Sequence, residues 1–111
     1  MSIEQIAQAQ LDAYNAQDLD AYCGYFSDDV VIADVGGAVS SHNLKALRDR
    51  YEAAFAKFPK NRADLVNRIV LGNAVIDHER VDRGDGTTPV FEVAAIYTFR
   101  GDKIARVDFT K

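Results

Sequence analysis

Apolar residues near the start of the chain recur at steps of three and four. The stripe runs from Ile3 to Tyr14 and predicts an amphipathic helix that ends near Asn15. Ser2 and Gln5 have the spacing of a capping box, in which each residue bonds to the backbone of the other. The chain therefore opens with a helix that turns one apolar face towards a core.

Two further helices and one short strand follow. Asp18 is the expected N-cap of a short helix over 19–25, and Asn43 that of a longer helix over 44–58. The longer helix also carries apolar residues at three- and four-residue steps. Between the two helices, residues 30–35 are mostly β-branched, which predicts a strand.

In the second half of the chain, the hydrophobic pattern repeats every two residues. Residues 63–71, 74–81, 89–99 and 103–109 alternate between apolar and polar positions, and short glycine-containing turns separate them. Consecutive strands joined by tight turns pair antiparallel. The sequence therefore predicts one α+β domain over residues 1–111, with three N-terminal helices packed on a curved antiparallel sheet. Such a cone encloses a cavity.

The composition of the chain argues against several classes of binding partner. The 111 residues are 48% hydrophobic and carry a net charge of -4, so the basic surface that nucleic acids need is missing. No apolar run spans a bilayer, and the N-terminus lacks the regions of a signal peptide, so we expect no membrane partner and a cytoplasmic location. Cys23 is the only cysteine. Neither a metal-ligand spacing nor a phosphate loop is present, and we expect no metal and no cofactor.

Two segments carry a resemblance to a known family. NAQDLDAYCGYFSDDVVIADV, followed by LKALRDRYEAAF and the four predicted strands, resembles the nuclear transport factor 2-like superfamily. Within it, the chain is most similar to the SnoaL-like and ketosteroid isomerase-like branch. The resemblance covers essentially the whole chain and implies the cone described above. It does not fix an activity, because this superfamily includes isomerases, cyclases, dehydratases, hydrolases and non-catalytic binders.

Ketosteroid isomerases offer a comparison of site residues. The resemblance implies that Asp34, at the end of the first strand, is the general base and that Tyr51 supports the site. Gln10 and Ala95 stand where these enzymes carry their two oxyanion donors, and Tyr14 lies one helical turn from the first of them. One such donor is worth roughly 10²–10³ in rate. Efficient steroid isomerisation by the familiar residues is therefore not expected.

The strand over 74–81 contains ionisable side chains on both faces. Alternation places Glu79 and His78 on opposite faces. The register of the isomerases implies that Glu79 points inward, where Asn67 or Tyr97 would be its partner. A slip of one residue would instead bring His78 inward, where it could form a dyad with Asp34.

The sequence thus predicts a polar-lined cavity. Asp34 could instead serve only to hydrogen-bond the backbone of the Gly36–Gly37 turn. Tyr97 could equally be an ordinary residue of the hydrophobic core. Arg50 is placed on the solvated face of its helix. The candidate catalytic residues are Asp34, Tyr97, Glu79 and His78. The candidate ligand contacts are Gln10, Tyr14, Tyr51, Phe55, Asn67, Ala95 and Val107.

Three functional hypotheses remain at this stage. The first is a cofactor-free isomerase, cyclase or hydratase that moves a proton next to the carbonyl of a small hydrophobic molecule, with Asp34 as base and Tyr97, Gln10 or Asn67 as donors. The second is a non-catalytic binding module, and the third is an interaction domain with a filled cone. A homodimer through the sheet is expected in any case, because outer-face residues such as Ile76 need a cover.

Overall fold

The computed structural model describes residues 1–110 and contains the three predicted helices. They are α1 (Ile3–Ala16), α2 (Leu19–Cys23) and α3 (Leu44–Lys57). The second helix is two residues shorter than predicted, because the chain enters a strand at Phe26. None of these helices is long and apolar enough to cross a membrane.

Side chains at the helix starts satisfy backbone groups as the sequence predicts. The Ser2 hydroxyl accepts from the Gln5 N–H at 3.2 Å, and the Gln5 amide oxygen accepts from the Ser2 N–H at 2.8 Å. Asp18 and Asn43 cap α2 and α3 in the same way, at 3.2 and 2.8 Å. Each cap provides an acceptor for an N–H group that has no partner within its helix.

Six strands form one curved sheet in the order β2-β1-β6-β5-β4-β3. They are β1 (Phe26–Asp34), β2 (Val39–Ser41), β3 (Arg62–Leu71), β4 (Ala74–Asp82), β5 (Phe91–Arg100) and β6 (Lys103–Phe109). The last four strands form the predicted antiparallel meander.

The sheet differs from the prediction in two respects. First, β1 and β6 pair in parallel, so the sheet is not wholly antiparallel. The chain between them is long enough for the crossover that a parallel pair requires, but the alternation pattern does not reveal which distant strands meet. Second, residues after the Gly36–Gly37 turn form the short strand β2, which pairs with β1.

One irregularity in β3 reverses the direction of a predicted site residue. Leu65 pairs with Glu79, whereas Asn67 pairs with His78, so Val66 is an extra residue in β3. Such a bulge shifts every following side chain to the opposite face. Asn67 is consequently exposed on the outer face, and its predicted position inside the cavity is wrong.

The helices cover the concave face of the sheet, and the main core lies between them. Its largest fully buried members include Val30, Ile32, Leu47, Val75, Ile104 and Val107. An aromatic cluster from α1, α2 and α3 fills the space at one side. The Tyr22 and Tyr51 rings in it are 4.8 Å apart between centroids. Tyr14, Tyr22 and Tyr51 of this cluster also line a cavity, so the rings connect the core with the cavity wall.

Candidate functional site

A cavity of about 230 Å³ lies between the helices and the concave face of the sheet. Its polar wall consists of Gln10, Tyr14, Tyr22, Asp34, Arg50, Tyr51, Glu79, Arg83 and Tyr97. Its apolar wall consists of Leu11, Ala54, Val81, Phe91, Val93 and Phe109. The volume is below the roughly 300–1,000 Å³ typical of pockets for drug-sized ligands. The cavity therefore suits a compact molecule of one or two rings.

Glu79 is the most perturbed carboxyl group of the site. It lies on β4, is 6% exposed, and its Oε2 atom has no hydrogen-bond partner within residues 1–110. Burial, and after it the charge of Asp77, raise the pKa of Glu79 to about 7, although the Arg68 guanidinium acts in the opposite direction. Glu79 can therefore take up and release a proton near neutral pH. The predicted inward direction of this side chain is confirmed.

Tyr97 and Gln10 form a hydrogen-bonded pair in the cavity wall. The Gln10 Nε2 atom donates to the Tyr97 hydroxyl oxygen at 3.2 Å and to the Ala7 carbonyl at 3.2 Å. Burial, followed by the charge of Glu79, raises the pKa of Tyr97 well above its usual value. The phenol is therefore neutral at pH 7. Because its oxygen accepts from Gln10, its own O–H hydrogen can be donated to a ligand.

Tyr14 and Tyr51 form the wall contributed by α1 and α3. The Tyr14 hydroxyl accepts from the Asn61 side chain at 2.7 Å, and its ring meets that of Tyr51 edge-on at 6.1 Å between centroids. Burial raises the pKa of both phenols. Two of the predicted ligand contacts are thus placed at the cavity as neutral hydroxyl groups.

Three other predicted ligand contacts do not line the cavity. Phe55 lies behind Tyr14, at 5.7 Å between ring centroids, and supports the wall from the core side. Ala95 and Val107 are fully buried with short side chains. Their cross-strand partners are Phe109 and Tyr97, and these larger residues reach the cavity instead.

Asp34 lies at the end of β1, half-buried in the cavity wall. Its carbonyl also accepts the Gly37 N–H at 2.9 Å, and its N–H donates to the Ala38 carbonyl at 3.1 Å. Asp34 therefore has two roles in the structure: its side chain lines the cavity, and its backbone forms the turn.

His78 lies outside the cavity. Its Nε2 atom is 2.6 Å from a carboxylate oxygen of Glu92 on the exposed outer face of the sheet. The alternative register, in which His78 would form a dyad with Asp34, is wrong. The reason is the regular alternation of β4, which places His78 opposite Ala94 and Glu79 opposite Val93.

The site contains two arginines that the sequence analysis missed. Arg50 stands over the rings of Tyr51 and Phe109, and Arg83 stands over Phe91. Both line the cavity. Arg50 is exposed, as helical periodicity predicts, but its long side chain also reaches the mouth of the cavity. Arg83 lies after β4, where no periodic pattern indicates a direction.

A buried ion pair lies next to Glu79. Asp77 is fully buried and accepts two hydrogen bonds from Arg68, at 2.7 and 2.9 Å, while Arg68 also donates to Gln8 at 3.0 Å. Arg68 faces inward only because of the bulge at Val66. This pair places one negative and one positive charge close enough to Glu79 to change its pKa. Within residues 1–110, no group of three or more potential ligands is placed to hold a metal.

Comparisons with known proteins agree with this architecture. A sequence model of the SnoaL-like domain matches residues 7–107. An uncharacterized cystatin-fold protein from Novosphingobium aromaticivorans is 39% identical, with a TM-score of 0.94 over 100% of this chain and 99% of that one. No protein of curated function matched the sequence.

Two more distant structures show the same fold. A candidate polyketide cyclase from Sinorhizobium meliloti is 24% identical, with a TM-score of 0.79 over 95% of this chain and 93% of that one. A candidate ketosteroid isomerase from Kribbella flavida is 10% identical, with a TM-score of 0.82 over 97% and 76%. The fold, the cavity and these matches agree, and the chain belongs to the SnoaL-like family of the nuclear transport factor 2-like superfamily.

Proposed function

We propose that this protein binds a small carbonyl compound in the cavity and moves a proton at the carbon next to the carbonyl, without a cofactor. The observation that carries the proposal is the Oε2 atom of Glu79, which is buried, has no partner in the described chain, and belongs to a carboxyl group with a pKa of about 7. A catalytic base works best when its pKa lies near the working pH.

The proposed reaction needs one acid–base group and one hydrogen-bond donor. Ionised Glu79 takes a proton from the α-carbon, so the C–H bond breaks and its electron pair forms an enolate. The Tyr97 hydroxyl donates a hydrogen bond to the enolate oxygen, where negative charge develops. Protonated Glu79 then returns the proton to carbon. Isomerisation of unsaturated ketones and aldol-type cyclisation begin with this proton abstraction, and hydration of an α,β-unsaturated carbonyl compound passes through an enolate of the same kind.

Asp34 provides a second carboxylate at the same cavity, and it remains a predicted base. Glu79 is preferred because it is more deeply buried and its pKa is displaced towards neutrality, whereas Asp34 also forms a turn. The names of the two distant structural relatives, a candidate polyketide cyclase and a candidate ketosteroid isomerase, agree with proton transfer.

Exchange of the α-protons of 1-indanone in D2O, followed by NMR, tests the proposal. The protein should accelerate exchange above the buffer rate. The rate should rise with pH and level off once Glu79 is ionised, with a midpoint near its pKa of about 7. No acceleration, or a midpoint at the ordinary value of 4.5, would contradict the proposal. Loss of exchange in Asp34→Asn but not in Glu79→Gln would assign the base to Asp34.

A non-catalytic binding module is the second candidate, and one observation favours it. Gln10 and Ala95 replace both oxyanion donors of the isomerases, so a phenol of the cavity wall such as Tyr97 would have to take over this role for catalysis. Binding of 1-indanone that shifts ligand NMR signals, with no exchange above buffer at any pH, would identify this second function.

We also propose that two copies pair through the outer face of the sheet. Ile69, Ile76 and Ile96 form an apolar row across β3, β4 and β5 by register, and Ile69 is 51% exposed. Sedimentation should show a dimer at micromolar concentration, and Ile96→Glu should convert it to a monomer. Val35→Glu, an exposed apolar position in the turn after β1, is the matched control. A monomeric parent protein would refute the pairing.

A further inference from the structure

We infer that the ligand carries a carboxylate group, which Arg83 binds, while Arg50 adds a second positive charge to the lining of the same cavity. This inference rests on the proposed function, because it names the chemical class of the molecule that Glu79 would act on. Neither arginine has a part in the proton transfer itself. Their positions therefore require a separate explanation.

Aromatic rings hold both guanidinium groups. The Arg83 Cζ atom lies 4.9 Å from the ring centroid of Phe58 and 5.1 Å from that of Phe91. The Arg50 Cζ atom lies 5.7 Å from the centroid of Tyr51 and 5.9 Å from that of Phe109. Stacking on rings restricts a flexible side chain without neutralising its charge. Both cations are therefore positioned before a ligand arrives.

Most of their hydrogen-bonding capacity is still available. Arg83 Nη1 donates to the side-chain oxygen of Asn61 at 2.9 Å, and Arg50 Nη1 donates to the hydroxyl of Ser40 at 2.9 Å. Both acceptors are neutral. A guanidinium group has five N–H donors arranged to bind a carboxylate in a bidentate manner. Each arginine thus keeps N–H groups for an anionic partner.

The ion pairs of the structure also single out these two arginines. Across residues 1–110, ion pairs with carboxylates include Arg48, Arg62, Arg68, Arg100 and Arg106. Neither Arg50 nor Arg83 takes part in one of these pairs. Arg80, the remaining arginine, is exposed on the outer side of β4 and does not line the cavity.

The positive charge reaches the interior of the cavity. Arg50 and Arg83 both act to lower the pKa of Tyr51, and Arg83 acts to lower that of Tyr14, although burial dominates in each case. An anionic group would therefore be attracted into the cavity. A singly charged carboxylate fits better than a phosphate, because the carboxyl groups of Glu79 and Asp34 line the same space and repel a higher negative charge.

The apolar wall determines where the rest of such a ligand lies. Val81 lies between Glu79 and Arg83 along the chain, Phe91 pairs with Val81 on β5, and Val93 pairs with Glu79 itself. A ligand whose carboxylate binds Arg83 would lay a ring or short chain along this wall. Its carbonyl would then meet Tyr97 and Glu79. The substrate class is a compact carboxylic acid that contains a ketone.

Calorimetric titration with 2-naphthoate and the isosteric neutral 2-naphthamide tests this inference. Near pH 8 the parent protein should bind the carboxylate at least about tenfold more tightly than the amide, since hydrogen bonds to charged groups are the stronger ones. Arg83→Met should lower the affinity for 2-naphthoate about tenfold and leave the affinity for 2-naphthamide unchanged. Arg80→Met, the matched control outside the cavity, should change neither affinity.

Equal affinities for the two probes, or equal losses for both in Arg83→Met, would overturn the carboxylate inference. The inference would also be overturned if neither probe bound at millimolar concentration. These outcomes are distinct from a failure of the proposed function. A protein that exchanges the protons of 1-indanone but shows no preference for 2-naphthoate refutes the anion site alone. One that prefers 2-naphthoate but exchanges nothing refutes proton transfer alone.

Discussion

Replacing Glu79 by glutamine should lower the rate of α-proton exchange by roughly 10²–10⁴-fold, the usual contribution of a general acid–base group. Glutamine has nearly the same shape as glutamate and cannot accept the proton. Because Glu79 is the buried carboxyl group with the displaced pKa, no other described group should maintain the pH profile near 7. NMR measurement of 1-indanone exchange provides the rates, and Glu92→Gln, on the outer face, is the matched control.

The same substitution should make the folded protein more stable above neutral pH. The pKa of Glu79 is raised from 4.5 to about 7 on folding, so the folded state binds more protons than the unfolded state between these values. The stability that protonated Glu79 contributes to the folded protein is therefore fully present below pH 4.5 and is lost as pH rises through 7. The loss corresponds to about 3 kcal/mol, at 1.36 kcal/mol for each pKa unit. Glutamine does not ionise and avoids this loss.

Urea unfolding near pH 5 and near pH 8 measures the effect. The free energy of unfolding of the parent protein should contain a component that falls between these two values. In Glu79→Gln this component should be absent, so that the variant gains up to about 3 kcal/mol near pH 8 and much less near pH 5. Glu92→Gln should follow the parent protein. A Glu79→Gln protein that loses stability near pH 8 would show that the carboxylate is well solvated.

If Glu79 serves function, Glu79→Gln should lower activity while it raises stability. A residue that served only the fold would be selected for a partner, yet Glu79 has an unpartnered carboxyl oxygen, and the only other such buried side-chain atom in residues 1–110 is the Ser27 hydroxyl oxygen. Retaining it reduces stability at physiological pH, and function is the expected reason for such a cost.

Most of the fold follows from local patterns in the sequence. Ser2, Asp18 and Asn43 mark the helix starts, and the structure shows all three as caps. The meander follows from alternation and glycine turns. The parallel pairing of β1 with β6 does not follow from them, because it joins segments about 70 residues apart and depends on how the whole sheet closes.

The site was only partly predictable, for the same reason. The regular alternation of β4 correctly places Glu79 inward and His78 outward. In β3, Val66 interrupts the alternation, so that Asn67 leaves the cavity and Arg68 enters it. No residue type near Val66 signals a bulge. One extra residue thus removes a predicted amide from the site and creates the ion pair that adjusts its electrostatics.

That ion pair leads to the second large effect. Asp77→Asn should destabilise the protein by about 3–5 kcal/mol, because it leaves the Arg68 charge buried without a counterion. The side chains of Arg68 and Asp77 are only 10% and 0% exposed. The exposed pair Arg62–Asp64 has the same N···O distance of 2.7 Å, and it is the matched control.

Urea unfolding should separate the two pairs clearly. Asp64→Asn should change the free energy of unfolding by less than about 1 kcal/mol, because solvent screens an exposed pair. The double variant Arg68→Met with Asp77→Leu should recover much of the stability that Asp77→Asn loses, since it leaves no unpaired charge. Similar losses at the buried and the exposed pair would contradict the view that burial makes the difference.

Activity provides a readout that a purely structural role would not change. The charge of Asp77 raises the pKa of Glu79, and that of Arg68 lowers it. Asp77→Asn removes the first influence and leaves the second, so the midpoint of the exchange profile should move below pH 7 in the protein that remains folded. The double variant removes both charges and should return the midpoint towards that of the parent protein. An unchanged midpoint in Asp77→Asn would mean that this pair supports the sheet without adjusting the proton affinity of Glu79.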